Sequence, residues 1–123
     1  MAKTSGARLW IKLTLPGVGQ IGPGKVELLR RIGEHRSISA AARSMKMSYR
    51  RAWLLVDELN SLFSEPLVAK WQGGKFQGGA SLTELGEKLI DDYDMLLKRA
   101  NDTNRSLLDD IARHAAKPRG QRG

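Results

Sequence analysis

The sequence contains no cysteine among its 123 residues. That absence excludes disulfides and thiolate metal sites. Histidine is nearly absent as well. His35 and His114 stand far apart, with no neighbour at catalytic spacing. No Ser–His–Asp or Cys–His set can be assembled, so the sequence predicts neither an enzyme nor a cofactor. Asp91, Asp92 and Asp94 cluster, but they lack the alternate spacing and glycine of a calcium loop. They read as a solvated helix face, and no metal is expected. No apolar run approaches the roughly 18 residues of a membrane span. Residues 1–6 are too short and polar for a signal peptide. The expected location is therefore the cytoplasm, and the expected organisation is one domain with an appended helix.

Acidic residues are scarce in one part of the chain. Residues 1–75 hold 13 Lys/Arg against 5 Asp/Glu, whereas residues 76–123 hold 8 of each, so the whole net charge of +8 lies in the first part. From Arg36 to Arg51 there are five basic residues and no acidic one. A localised basic surface favours a polyanion, because neutralised phosphates release condensed counterions.

The apolar pattern supplies a scaffold for that charge. Leu9, Ile11, Leu13 and Leu15 alternate, which predicts a strand over 8–15 that ends at Pro16-Gly17. A Gly-rich loop to Gly24 follows, then a helix over Lys25–Glu34 with Val26, Leu28, Leu29 and Ile32 inward. Ser39 is the expected N-cap of a short helix containing Ala40, Ala41, Ala42 and Met45. Lys46-Met47 makes a tight connection. Ser48 caps a longer helix, Tyr49 to Phe63, whose stripe is Ala52, Leu55, Val56, Leu59, Leu62 and Phe63. Trp53 and Leu54 fall off its centre.

Pro66 stops that helix. Leu67–Trp71 and Ala80–Leu82 read as a hairpin around the Gly-rich tip QGGKFQGG. Ser81 and Glu84 form a capping-box signature for a long helix reaching Ala115. Its near-heptad seam of Leu85, Leu89, Tyr93, Leu96, Ala100 and Leu107 suits dimerisation.

The fold class expected is mainly α with a small β-hairpin wing: a winged helix-turn-helix plus a long C-terminal dimerisation helix. Its parts are a flexible N-terminus (1–7), the winged helix-turn-helix (8–82), the dimerisation helix (83–115) and a basic disordered tail (116–123). Such a scaffold places one helix in the major groove of double-stranded DNA. Ser48, Tyr49, Arg50, Arg51 and Trp53 stand at the start of the reading helix. Ser39, Arg43, Lys46 and the wing residues Lys70, Gln72, Lys75 and Gln77 are candidates for the DNA backbone. Solvation of the two arginines, packing of Trp53 against the wing or the first helix, and an idle wing tip are the competing structural readings.

A nucleotide site competes for another stretch. Gly19–Lys25, GQIGPGK, has the spacing of a phosphate loop, and Trp53–Glu58 imitates an apolar-then-acidic magnesium run. Val26 stands where the magnesium-binding hydroxyl belongs. Pro23 removes a backbone donor, and Asp57 lies inside a helical stripe. The chain is also too short for the parallel sheet that such a site needs. Gly22, Pro23 and Gly24 read better as a rigid turn.

The stretch SISAAARSMKMSYRRAWLLVDELNSLFSEPLVAK (37–70), with IGPGKVELL before it and SLTELGEKL after the Gly-rich tip, resembles the N-terminal DNA-binding domain of the ModE family. These are molybdate-responsive bacterial transcription regulators with a LysR-like winged helix-turn-helix. The resemblance covers roughly residues 20–90. It implies a recognition helix that begins at Ser48 and presents Tyr49, Arg50, Arg51 and Trp53, and a homodimer formed through this domain. Family members continue into a molybdate-binding region that has no counterpart in this sequence. The expectation is a stand-alone, sequence-specific regulator without the molybdate sensor, associated with the nucleoid and open to a partner protein. A sequence-tolerant architectural protein and a winged-helix interaction adaptor are the alternatives.

Overall fold

A computed structural model describes residues 5–71 and 78–121. A hairpin of β1 (Leu13–Leu15) and β2 (Gly19–Ile21) leads into α1 (Pro23–His35), α2 (Ile38–Ser44) and α3 (Tyr49–Ser61). The second antiparallel hairpin, β3 (Val68–Trp71) with β4 (Gly79–Leu82), precedes α4 (Glu84–Thr103) and α5 (Arg105–Arg113). This is a winged helix-turn-helix followed by a long C-terminal helix.

One core joins these parts. The inward residues of α1 (Val26, Leu28, Leu29 and Ile32) meet Ala41 and Ala42 of α2 and Ala52, Val56 and Leu59 of α3. Alanine at those positions lets the three helices approach closely. Leu67, Val68 and Ala80 bring in the wing, Ile21 the first hairpin and Tyr93 the long helix. Each large aliphatic side chain buried there contributes about 1.5–3 kcal/mol.

The strand predicted over 8–15 is laddered only at Leu13–Leu15, because its partner β2 is three residues long. That partner lies in what reads from sequence as loop. Residues 5–11 instead run along α4 and α5, held by helix side chains. Tyr93 Oη donates to the Ile11 carbonyl at 2.9 Å. The Asn101 side chain accepts from Leu9 N–H and donates to its carbonyl. Arg105 donates to the Ala7 carbonyl, and Asp109 accepts from Ser5. Helix residues 101, 105 and 109, about one turn apart, thus hold chain residues 9, 7 and 5. The two hydrogen bonds from Ser5 hold the Asp109 carboxyl below its ordinary value.

Three further expectations are corrected. Ser37, not Ser39, caps α2: its backbone is extended and its Oγ accepts from Ala40 N–H at 3.1 Å. Thr83, not Ser81, caps α4, because Ser81 is committed to β4 opposite Ala69. The helix expected to run to Ala115 breaks at Asn104, whose side chain turns back to the Ala100 carbonyl. The 3-10 turn Arg119–Gln121 falls in the region read as a disordered tail.

Thr83 docks α4 on the wing. Its backbone N–H donates to the Leu67 carbonyl and its hydroxyl to that of Pro66, while Gly86 N–H donates to Thr83 Oγ1. Gly86 sits so close that a Cβ there would lie 2.3 Å from the Leu67 carbonyl oxygen. We expect Gly86→Ala to destabilise the domain by about 1–3 kcal/mol, as overpacking does. Urea unfolding measures this, and an unchanged midpoint would contradict the close approach. Further along α4, Asp94 forms a two-pronged ion pair with Arg30 of α1. The guanidinium holds the Asp94 carboxyl below its ordinary value.

Candidate nucleic-acid interface

The turn between α2 and α3 is built by backbone bonds. Met47 N–H donates to the Ala42 carbonyl and Lys46 N–H to that of Arg43. Lys46 takes a left-handed conformation, φ 55°. This is the Schellman arrangement, usually completed by glycine. A residue with a Cβ costs about 1–2 kcal/mol there, and this one places a cation immediately before the reading helix. Ser48 then caps α3 as predicted, accepting from Arg51 N–H at 3.1 Å.

The helical period sorts the predicted residues of α3 onto different faces. Ala52, Val56 and Leu59 face the core. Arg50 and Leu54 lie opposite and point outward, Leu54 being 61% exposed. Tyr49, Trp53 and Asp57 form a row on one flank, and Arg51, Leu55 and Glu58 a row on the other.

The wing covers the first flank. The Trp53 and Tyr49 rings meet in a T-shaped pair, centroids 5.9 Å apart. Lys70 Nζ lies 4.2 Å from the Trp53 ring centroid and 3.0 Å from Asp57 Oδ1. Trp53 thus packs against the wing, and Lys70 clamps the wing to the helix. Toward the tip end of the β3–β4 ladder, Ala80 N–H donates to the Arg36 carbonyl, and the Arg36 guanidinium lies over Trp71. A groove of about 450 Å³ opens here between Ser37, Ser39, Tyr49, Trp53 and Trp71.

The first hairpin stands beside the second flank across a groove. Lys25 binds Glu58 at 3.2 Å and the Gln20 carbonyl at 2.9 Å. A groove of about 370 Å³ lies there, lined by Lys12, Gln20, Lys25, Met47 and Arg51. This geometry also accounts for the phosphate-loop spacing. β2 pairs antiparallel in a two-stranded hairpin, Val26 is buried, and Asp57 belongs to α3.

The cations differ in what they hold. On α4 and α5, Lys88, Lys98, Arg105 and Arg113 pair with carboxylates three or four residues along. Arg43 is tied only to Ser39 Oγ. Among the described residues, no partner meets the side chains of Lys12, Lys46, Arg50 or Arg51. Gln72, Lys75 and Gln77 lie outside the described residues.

The proposed dimer seam is divided by the structure. Tyr93 is 1% exposed and belongs to the core, and Leu85 and Leu89 pack against that core. Ala100 is half-buried. Leu96 and Leu107 are exposed, together with Met95, Ile111 and Trp10. Sequence reasoning missed Leu54 as part of the outward face, although its place off the apolar stripe was the signal.

Residues 24–87 match the profile of the family described as "Bacterial regulatory helix-turn-helix protein, lysR family". The molybdenum-pterin-binding protein MopB of Rhodobacter capsulatus is 49% identical over 74 residues, 60% of this chain and 27% of that protein. MopA of the same organism is 38% identical over 86 residues, 70% of this chain and 32% of that protein. The DNA-binding transcriptional dual regulator ModE of Escherichia coli K12 is 42% identical over 74 residues, 60% of this chain and 28% of that protein. The aligned stretch thus spans less than a third of the length of each of these relatives.

Proposed function

The chain belongs to the lysR family of bacterial regulatory helix-turn-helix proteins, and we propose that it binds double-stranded DNA, sequence-specifically and as a homodimer, to regulate transcription. The observation that carries this reading is the distribution of unpaired cations. Lys46, Arg50 and Arg51 stand together at the start of α3 with no carboxylate partner among the described residues, where a helix-turn-helix presents its donors to base edges and phosphates. Charges that served only solubility would gain from pairing as Lys88, Lys98, Arg105 and Arg113 do. The similarity to E. coli ModE supports the same reading.

In this proposal Arg50 reads a base, Leu54 offers an apolar contact beside it, and Tyr49 and Trp53 line the wing side. Ser39, Arg43, Lys46 and the wing tip with Gln72, Lys75 and Gln77 meet the backbone. Lys70 acts through its clamp on Asp57 and Trp53. The homodimer places two recognition helices about 34 Å apart, or a multiple of that. Its contact is the exposed apolar surface of Trp10, Leu96, Leu107 and Ile111. A two-fold assembly implies a palindromic site, and DNA as partner implies a cytoplasmic, nucleoid-associated protein.

Genome-wide mapping of bound DNA tests the proposal. The expected result is a sharp palindromic motif. Diffuse occupancy would overturn the specific regulator in favour of an architectural protein. Absence of DNA binding at low salt would leave the interaction adaptor.

A further inference from the structure

The recognition helix has a lysine–carboxylate pair on each of its two flanks. On one side Lys70 of the wing meets Asp57. On the other, Lys25 in the first turn of α1 meets Glu58 and also donates to the Gln20 carbonyl of β2. The groove on this second side has no acidic residue in its lining. Glu58 is not part of that lining and is paired with Lys25. Lys12 and Arg51 remain, one from each wall, and among the described residues neither meets a partner.

Two unpaired cations 39 positions apart in the chain, converging on one groove beside the reading helix, match a polyanion better than they match each other. Like charges across a groove repel, and a phosphate chain between them removes that repulsion. The groove adjoins the start of α3, so the duplex that meets Arg50 continues over Arg51 toward Lys12.

We propose that the first hairpin is a second wing, with Lys12 holding a backbone phosphate on the flank of the half-site opposite the β3–β4 wing. This rests on the DNA-binding reading above. It adds a surface which the helix-turn-helix and its wing do not include. A phosphate contact of this kind positions the protein without reading sequence.

The test compares the wild type, Lys12→Ala and Arg99→Ala on two duplexes of equal length. One carries the mapped site, and the other is scrambled. Arg99 lies on α4 and, like Lys12, meets no partner among the described residues, so its replacement removes the same charge elsewhere. Lys12→Ala is expected to weaken binding by the same factor on both duplexes. It should also lower the log–log salt slope by about 0.9 for each protein copy bound. Hydroxyl-radical footprints should lose protection on the hairpin flank alone, and Arg99→Ala should leave slope and footprint unchanged. A wild-type slope and footprint in Lys12→Ala would overturn the inference, and so would an equal effect of Arg99→Ala. If the wild type bound neither duplex, the DNA-binding reading itself would fail, and the second wing with it.

Discussion

Arg50→Ala is expected to lower affinity for the mapped site by about 1–3 kcal/mol, roughly five- to 150-fold. It should also flatten the base preference at one position of each half-site. Arg50 points away from the core beside Leu54, at the first turn of a helix capped by Ser48. A guanidinium there can donate two hydrogen bonds to a guanine edge. Arg51→Ala is expected to behave differently. Its side chain lines the hairpin groove, so its loss should weaken binding alike on matched and scrambled duplexes. Binding curves on a panel of single-base variants separate the two outcomes. If Arg51→Ala relaxed specificity while Arg50→Ala weakened all sequences equally, the roles would be exchanged. The two arginines are indistinguishable from sequence alone, being neighbours of the same type. Only the direction of the helix axis relative to the two hairpins parts them.

Tyr93→Ala should have the largest effect on stability, about 3–5 kcal/mol, the usual cost of truncating a buried aromatic. For a small domain of ordinary stability that is a large share of the total. Tyr93→Phe keeps the ring and removes only the hydroxyl that holds Ile11, so it should cost about 0.5–1.5 kcal/mol. It should also free residues 5–11 to exchange amide hydrogens faster. Burial pushes the phenol above its ordinary value of 10.0. The folded protein therefore holds that proton more tightly than the unfolded chain. The corresponding stability is complete below that value and is lost as pH rises through the higher folded value. The wild type should lose its advantage over Tyr93→Phe across that alkaline range in denaturation midpoints. A constant difference would show that the hydroxyl does not titrate with the fold.

The same tyrosine shows why part of the site stayed illegible. From sequence, Leu85, Leu89, Tyr93 and Leu96 are one seam, because steps of three and four repeat along a helix. Such a pattern shows that a face is apolar without showing what covers it. In the structure the core of the same protomer takes Tyr93, with Leu85 and Leu89 packed against it. Leu96 and Leu107 are left outside, and these are the residues that carry the proposed dimer contact. Segment 5–11 was half legible for a related reason. Alternation identified its extended form, but its hydrogen-bond partners are side chains some 80 to 100 positions away.

The caps divide along the same line. Ser48 was readable because it directly precedes the helix whose apolar stripe starts at Ala52. Ser37 and Thr83 were not, because a serine nearby offered an equally good local signal in each case. β4 pairing claimed Ser81, and the Pro66 and Leu67 carbonyls claimed Thr83.

The absences that mark this sequence needed no coordinates. Cysteine is absent and the two histidines lie far apart, and composition alone placed the excess charge in residues 1–75. Periodicity placed it on a helix-turn-helix, since helix period and turn residues are local properties of the chain. Which cations stay unpaired, which flank each hairpin guards and where the long helix breaks were decided by tertiary structure. Those depend on distances between residues far apart in sequence, and a one-dimensional pattern does not contain such distances.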